Sequence, residues 1–281
     1  MTPPEPREEA APERGLCVVL GAGAFRGLAH VGVLKALRKA SLPIDSIIGS
    51  SIGGLVAAFH AGLGLDLDEI ADKMSRLTTP ALFSLGVALR RWGALSLQAR
   101  RRVETLLEEL ARLETMDLGR LHFGVRRLGL LAMDLPRGVE VFTATGMPGP
   151  VRADRVVLGG ISIPMLFPLV KVEAEGRIYR LSDGGFSHAV PVERAFESPF
   201  RARTVLAVDL QVIRGFRERG RNRWAALHGR HGESLVRLTP DVSGAGTIFF
   251  RQGQAADLVR AGEESVTDAI LSRLTLSGSG C

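Results

Sequence analysis

The apolar positions fall into short continuous runs alternating with stretches of helical spacing. Leu16-Cys17-Val18-Val19-Leu20, the Ile44, Ile47, Ile48 segment and 204–210 have almost no polar alternation, which predicts strands buried on both faces. After the first run, Leu28, Val31, Leu34 and Leu37 recur at helical period with Lys35 and Lys39 outside; after the second, Leu55-Val56-Ala57-Ala58-Phe59 resumes as a helix. Two strand–turn–helix units so early in the chain predict an α/β fold: three layers, α/β/α, around a mostly parallel central sheet.

Further along, 65–113 is patterned as helix, with Val103, Leu106, Leu107 and Leu110 inward and Glu104, Glu108 and Glu109 outward. Strand material is expected at 123–125 and 128–134. Val139 to Ala144 alternates at period two after a Pro136-Arg137-Gly138 hairpin turn. Pro164 and Pro168 forbid one helix across 159–170. The stretch 172–181 predicts a hairpin running directly into Ser182-Asp183-Gly184-Gly185. The arginine-rich stretch 214–231 predicts an exposed loop, 236–240 a last short strand, and Ala255 onward a single amphipathic helix with Leu258, Val259, Val266, Ile270 and Leu271 on one face. No linker interrupts this pattern, so one domain is expected over 15–275, between a disordered Pro/Glu/Arg tail (1–14) and a flexible end (276–281).

Composition narrows the picture only slightly. The 281 residues are 46% hydrophobic and 23% charged, ordinary for a globular chain. The net charge of +6 comes with only four lysines (35, 39, 73 and 171) among 36 basic residues. An arginine bias of that kind can arise from base composition alone, so the basic balance is weak evidence for any partner, and no nucleic-acid partner is expected. Cys17 and Cys281 make neither a disulfide framework nor a metal cluster, so no metal is expected and a reducing compartment is. There is no apolar run long enough to span a bilayer and no pattern of a secretory signal at the start, so a cytoplasmic location is expected. Arg90-Arg91-Trp92 with Arg100-Arg101-Arg102, and Arg217, Arg219, Arg221 and Arg223 with Trp224, are candidate patches for peripheral membrane contact. A solvated face is the preferred reading of both.

The chemistry concentrates at Gly49-Ser50-Ser51-Ile52-Gly53. A strand that turns sharply into a helix at a G-x-S-x-G strains the serine backbone and leaves its hydroxyl exposed, as a nucleophile requires. The loop Gly21-Ala22-Gly23-Ala24-Phe25-Arg26-Gly27 follows the preceding strand. If the two strands are sheet neighbours, its amides lie beside Ser51 and can form an oxyanion hole. A dinucleotide reading of this loop is disfavoured: Arg26 stands where the third glycine belongs, and Asp45 begins a strand instead of ending one. Two readings of the base remain open from the residues alone. One is a triad Ser51…Asp183 with His228 or His231; the other is Asp183 alone, at a strand end on a glycine-paired turn, with its low ordinary pKa raised by burial. His30, His60 and His122 read as structural.

Taken together, the segments from Leu20 to Leu34, Gly49 to Gly53 and Asp183-Gly184-Gly185 resemble the patatin-like phospholipase family, the bacterial patatin-like serine acyl hydrolases in particular. Ala132-Met133-Asp134-Leu135, Ser162-Ile163-Pro164 with Phe167-Pro168, Ala189-Val190-Pro191-Val192 and Gly262-Glu263-Glu264 fit in the family's order, over residues 15 to 272. The resemblance implies a serine hydrolase that cleaves fatty-acyl esters of lipids through an acyl-enzyme and without a cofactor. Ser51 would be the nucleophile and Asp183 the base. The oxyanion hole would draw on Gly21, Ala22, Gly23 and Ala24 with Arg26 at the basic position, and Gly27, Gly49, Gly53, Gly184 and Gly185 would be motif glycines. The sequence departs from the family's G-G-G-G-x-R-G at Ala22, Ala24 and Phe25, and has His188 where asparagine is usual. Those departures motivate the alternative of a catalytically weak member that binds lipid or a partner.

Overall fold

In strand β1 (Arg14–Leu20), Leu16, Val18 and Leu20 pack into one buried cluster while Cys17 and Val19 pack into another. Strand β7 (Ala202–Val208) divides the same way, Leu206 and Val208 to the first cluster, Val205 and Ala207 to the second. Both faces of the sheet are therefore covered, which is why these runs carry no polar alternation. This is a computed structural model, and it describes residues 14–76, 107–185, 189–210, 217–244 and 252–276. The expected helical stretch across 77–106, the Arg90–Trp92 and Arg100–Arg102 patch, His188 and most of both expected tails lie outside the described residues.

The remaining strands are β2 (Ser46–Ser50), β3 (Arg127–Asp134), β4 (Val139–Ala144), β5 (Val170–Ala174), β6 (Arg177–Ser182) and β8 (Leu235–Leu238). They form one eight-stranded sheet in the order β5-β6-β3-β2-β1-β7-β8, with β4 also paired to β3. Pairing is parallel from β3 through β2, β1 and β7 to β8, and antiparallel among β3, β4, β5 and β6. The architecture is the expected three-layer α/β/α one, with a mixed sheet whose parallel half carries the glycine loop and the serine turn.

Helices α1 (Leu28–Lys39), α2 (Ile52–Ala57), α3 (Leu67–Ser75) and α4 (Ala153–Gly160) supply the first cluster, together with α7 (Ala255–Ser265) and α8 (Asp268–Leu276). The opposite face is covered by α5 (Glu193–Phe196) and α6 (Arg217–His231) through Ala195, Trp224 and Leu227. Helices α1 and α7 cross so closely that a Cβ on Gly32 would lie 1.9 Å from the Val259 carbonyl oxygen, and one on Gly262 would lie 2.0 Å from that of Ala29. Glycine at both positions is the condition for that crossing.

Three expectations are corrected. The arginine-rich stretch is the helix α6 and not a loop: among its described side chains Trp224 and Leu227, three residues apart, are the ones that pack toward the sheet, so its apolar period was too sparse to register. Residues 123–125 form a turn, with φ positive at Phe123 (54°) and Gly124 (76°), and β3 begins only at Arg127. The final helix is two, broken at Val266 (φ −87°, ψ 78°), whose carbonyl direction no longer continues the ladder. The second arginine–tryptophan patch also does not stand out to solvent at its tryptophan. Trp224 is buried, the Arg237 guanidinium lies 4.5 Å from its ring centroid, and Arg223 is held by Glu193 and the Val190 carbonyl.

Candidate active site

Strand β2 ends at Ser50, and Ser51 takes φ 55°, ψ −130°, after which α2 begins at Ile52. A serine pays steric energy for that backbone, and it persists because its neighbours leave no alternative. A Cβ on Gly53 would lie 2.2 Å from the Leu20 carbonyl oxygen, so the turn is pressed against the end of β1, and one on Gly49 would lie 2.5 Å from the Gly53 carbonyl oxygen, so the turn is also closed tightly on itself. The Ser51 carbonyl accepts from the Gly54 and Leu55 amides, which start the helix.

Asp183 follows the last residue of β6. Its backbone amide donates to the Ser162 carbonyl at 2.9 Å, and that carbonyl also accepts from the Ser182 hydroxyl at 2.9 Å. The carboxylate is then fixed at both oxygens: Oδ1 accepts from the Gly185 amide at 2.7 Å and Oδ2 from the Ser51 hydroxyl at 2.6 Å. Both side chains are nearly buried, Ser51 5% and Asp183 9% exposed. Burial pushes the Asp183 carboxyl above its ordinary value, opposed by the hydrogen bonds from Ser51 and Gly185. The structure thus brings together the two residues singled out in sequence, and among the described residues no histidine is a hydrogen-bond partner of either. His228 and His231 are on α6, where His231 stacks on Phe196 with ring centroids 3.7 Å apart. The triad alternative has no geometric support.

The glycine loop does lie beside the serine turn, because β1 and β2 are parallel neighbours, Leu20 opposite Gly49. Its amides divide. Gly21 donates to Val208 at 3.1 Å and Ala22 to Ala189 at 2.7 Å, so these two hold the loop to its surroundings and are spent as oxyanion donors. Gly23 and Ala24 have no backbone acceptor among the described residues and remain candidates. Of the two alanines that depart from the family's glycines, only Ala24 has a positive φ, at 48°. Arg26 is in the short 3-10 turn Ala24–Gly27, its amide donating to the Gly23 carbonyl.

Two supports were not legible beforehand. Ser162 orients Asp183 through its carbonyl, which a sequence does not display. His30, read only as structural, is fully buried and its Nε2 lies 2.7 Å from the Gly21 carbonyl oxygen. Burial pushes its pKa down to about 4, so the ring is neutral and Nε2–H is the donor.

A cavity of about 380 Å³ opens from Ser51 between the first-cluster helices, lined by Phe25, Leu28, Leu55, Met74, Leu158 and Phe167 among others. Its charged edge is the Arg155–Glu114 pair at 3.0 Å. An apolar chamber ending at a serine hydroxyl suits a long hydrocarbon attached to a polar, cleavable group.

Residues 18–196 match the model of the patatin-like phospholipase family, well over half of the chain, and the chain belongs to that family. Among curated proteins it is similar to lysophospholipase nte1 of Aspergillus fumigatus, 52% identical over 48 residues, 17% of this chain and 3% of that protein. It is also similar to patatin-like phospholipase domain-containing protein 6 of Mus musculus, 48% identical over 46 residues, 16% of this chain and 3% of that one. The chain therefore aligns with only a small part of these relatives' length. Among solved structures, VipD from Legionella pneumophila superposes with a TM-score of 0.53 at 13% identity, covering 95% of this chain and 68% of that one, which places the two in one fold.

Proposed function

We propose that the protein is a serine acyl hydrolase that cleaves fatty-acyl esters of lipids through a Ser51–Asp183 dyad. In the first step Asp183 Oδ2 takes the Ser51 hydroxyl proton as Oγ attacks the ester carbonyl, whose oxygen becomes an oxyanion. The Gly23 and Ala24 amides are the donors proposed to meet that charge; one such donor is worth ~2.7–4 kcal/mol in enzymes of this chemistry. Collapse expels the alcohol, which carries away the proton held by Asp183, and leaves the acyl chain esterified to Ser51 in the apolar cavity. Water, deprotonated by Asp183, then attacks the acyl-enzyme through a second oxyanion, and the fatty acid leaves as the proton returns to Ser51.

The observation that carries this reading is the 2.6 Å contact between a strained, nearly buried serine and a buried carboxylate at the end of an apolar cavity. A raised carboxyl pKa is what an aspartate needs to serve as a base near neutral pH. Family membership supports the same class of reaction. The test is hydrolysis across a panel of phospholipids, lysophospholipids and simple esters, with Ser51→Ala and Asp183→Ala as controls. Activity lost in both variants supports the dyad, and activity kept in either removes that residue from it.

A second reading, a weakly catalytic member that binds lipid, is favoured by one observation, the positive φ at Ala24. An alanine there costs about 1 kcal/mol, and a poorly seated loop would give lipid binding with little turnover.

A further inference from the structure

Strand β3 runs three residues past the level of Ser50, which pairs with Leu131, and ends at Asp134. Beyond it the turn into β4 and the outer part of the β5–β6 hairpin continue from the same end of the sheet that carries Ser51. At ~3.3 Å per residue, the tip near Arg177 stands roughly 17 Å along the strand from Ser182. These two hairpins and the segment after β4 hold four of the six large apolar side chains that are exposed among the described residues: Leu135 (43%), Val139 (48%), Met147 (36%) and Ile178 (37%). They are tied together, since Arg137 Nη1 donates to the Ile178 carbonyl and the Leu135 amide to that of Arg180.

Between them is a second cavity of about 390 Å³, separate in its lining from the one at Ser51 and lined by Val139, Phe142, Met147 and Tyr179, by three arginines, 137, 177 and 194, and by the carboxylates of Asp134 and Glu140. Two of the arginines are neutralised. Arg137 binds Asp134 at 2.5 Å, and Arg194 binds Glu140 at 2.8 Å and Glu197 at 3.0 Å. Arg177 is exposed and has no carboxylate partner among the described residues. Tyr179, 8% exposed, lines the same cavity, and its hydroxyl makes no hydrogen bond to a described residue. Of the two other acidic residues of this hairpin, Glu173 pairs with Ile178 and so points to the other face from Arg177, while Glu175, in the exposed turn just before Arg177, makes no ion pair with it. The cavity thus offers one guanidinium without a carboxylate partner and one hydroxyl without a hydrogen bond to a described residue, with the exposed Val139 and Met147 in its wall.

We propose that this hairpin surface docks on a bilayer containing anionic phospholipid, with the phosphate of one lipid received between Arg177 and Tyr179 and the exposed apolar side chains entering the interface. A guanidinium fork matches phosphate oxygens, and exposed side chains beside it gain by leaving water. A soluble anion would account for Arg177 and Tyr179 but not for the exposed Leu135, Val139 and Met147 around them. The surface is on the end of the sheet that bears Ser51, so docking brings the catalytic end toward its substrate. The inference rests on the acyl-hydrolase reading for the purpose of docking and not for the chemistry of the site.

The test is flotation of the full chain with phosphatidylcholine vesicles, with and without phosphatidylglycerol, for wild type, Arg177→Glu and Leu135→Asp. A soluble short-chain ester assay runs on the same samples and reports folding. Wild type is expected to float with the phosphatidylglycerol vesicles and much less with phosphatidylcholine alone. Reversing one charge removes two units at the surface, so Arg177→Glu is expected to bind roughly tenfold or more weakly, and Leu135→Asp also to bind more weakly, both with ester hydrolysis unchanged. Equal flotation of Arg177→Glu and wild type, equal flotation without the anionic lipid, or no flotation at all would overturn the proposal. Flotation as expected with no Ser51-dependent ester hydrolysis would instead count against the acyl-hydrolase reading alone.

Discussion

Ser51 and Asp183 reach each other because their strands meet end to end along one edge of β3. Strand β4 occupies one edge of β3 from Gly129 to Asp134, which leaves the other to be shared. Along it Ser50 pairs with Leu131, from β2 running parallel, and Ser182 pairs with Met133, from β6 running antiparallel. The next residue of each strand is level with Ala132, and the two side chains close the gap at 2.6 Å. Residues 132 positions apart are thus registered by a third strand, not by a flexible loop.

That register depends on the turn at Ser51 staying pressed to β1. Gly53→Ala would place a Cβ 2.2 Å from a backbone oxygen that cannot rotate away. Overpacking of this kind costs ~1–3 kcal/mol and more where backbone must move, so a fall of about 3 kcal/mol in urea unfolding is expected, with loss of ester hydrolysis. A substitution tolerated at the wild-type midpoint would show that the approach is looser than described.

The positive φ at Ala24 separates two substitutions. Ala24→Gly removes the Cβ strain of about 1 kcal/mol but frees the unfolded chain by a comparable amount. Stability should therefore stay near wild type, with kcat equal or higher. Ala24→Val adds a β-branched side chain at φ 48° in the wall of the cavity and is expected to lower both thermal stability and kcat. Kinetics and thermal melts of the pair check this. A lower kcat in Ala24→Gly would remove Ala24 as the point of strain.

Much of this was legible in the sequence, and the limits have physical reasons. The apolar runs marked β1, β2 and β7 because burial on both faces forbids alternation, and G-x-S-x-G marked the turn because only glycine admits that approach to β1. Asp183 was legible as a residue at a strand end on a glycine turn, but its partnership with Ser51 came through resemblance, since register along β3 is a tertiary property. Helix α6 was missed because, among its described side chains, Trp224 and Leu227 are the ones that pack toward the sheet, amid arginines. The split of the glycine loop into holding amides (Gly21, Ala22) and open ones (Gly23, Ala24) depends on carbonyls at Val208 and Ala189 that no local pattern announces.

His30 is expected to act on the loop as a positioning residue. His30→Leu leaves the Gly21 carbonyl without its donor, at a cost of ~1–3 kcal/mol, and should lower kcat with KM little changed. Because burial holds the imidazole pKa near 4, the ring does not charge at neutral pH. The wild-type activity profile should therefore show no step from His30 between pH 6 and 8. Such a step, absent in His30→Leu, would contradict its assignment as a neutral donor.

Asp183 gives a pH dependence with opposite consequences for activity and stability. As the base it must be ionised, so kcat/KM should rise with pH through its folded pKa, placing the acid limb above the ordinary carboxylate range of ~3.9. Its raised pKa means that the native state holds this proton more tightly than the unfolded state does. The contribution to stability is therefore present below the unfolded pKa and is lost as pH rises through the folded one. Asp183→Asn, which can still accept from Gly185, should be more stable than wild type at neutral pH. That advantage should shrink as pH falls into the window between the two pKa values. Thermal melts of both proteins across pH check it, and an advantage independent of pH would assign the gain to something other than ionisation.

The central claim is that Asp183 makes Ser51 a nucleophile, and covalent labelling reads that directly. A fluorophosphonate reacted with wild type, Ser51→Ala and Asp183→Asn, with the adduct located by mass spectrometry, is expected to modify Ser51 in wild type and not at all in Ser51→Ala. In Asp183→Asn the rate of labelling is expected to fall by about two orders of magnitude or more, the contribution of a positioned general base. Labelling of Asp183→Asn at the wild-type rate, or of a serine other than Ser51, would contradict the account.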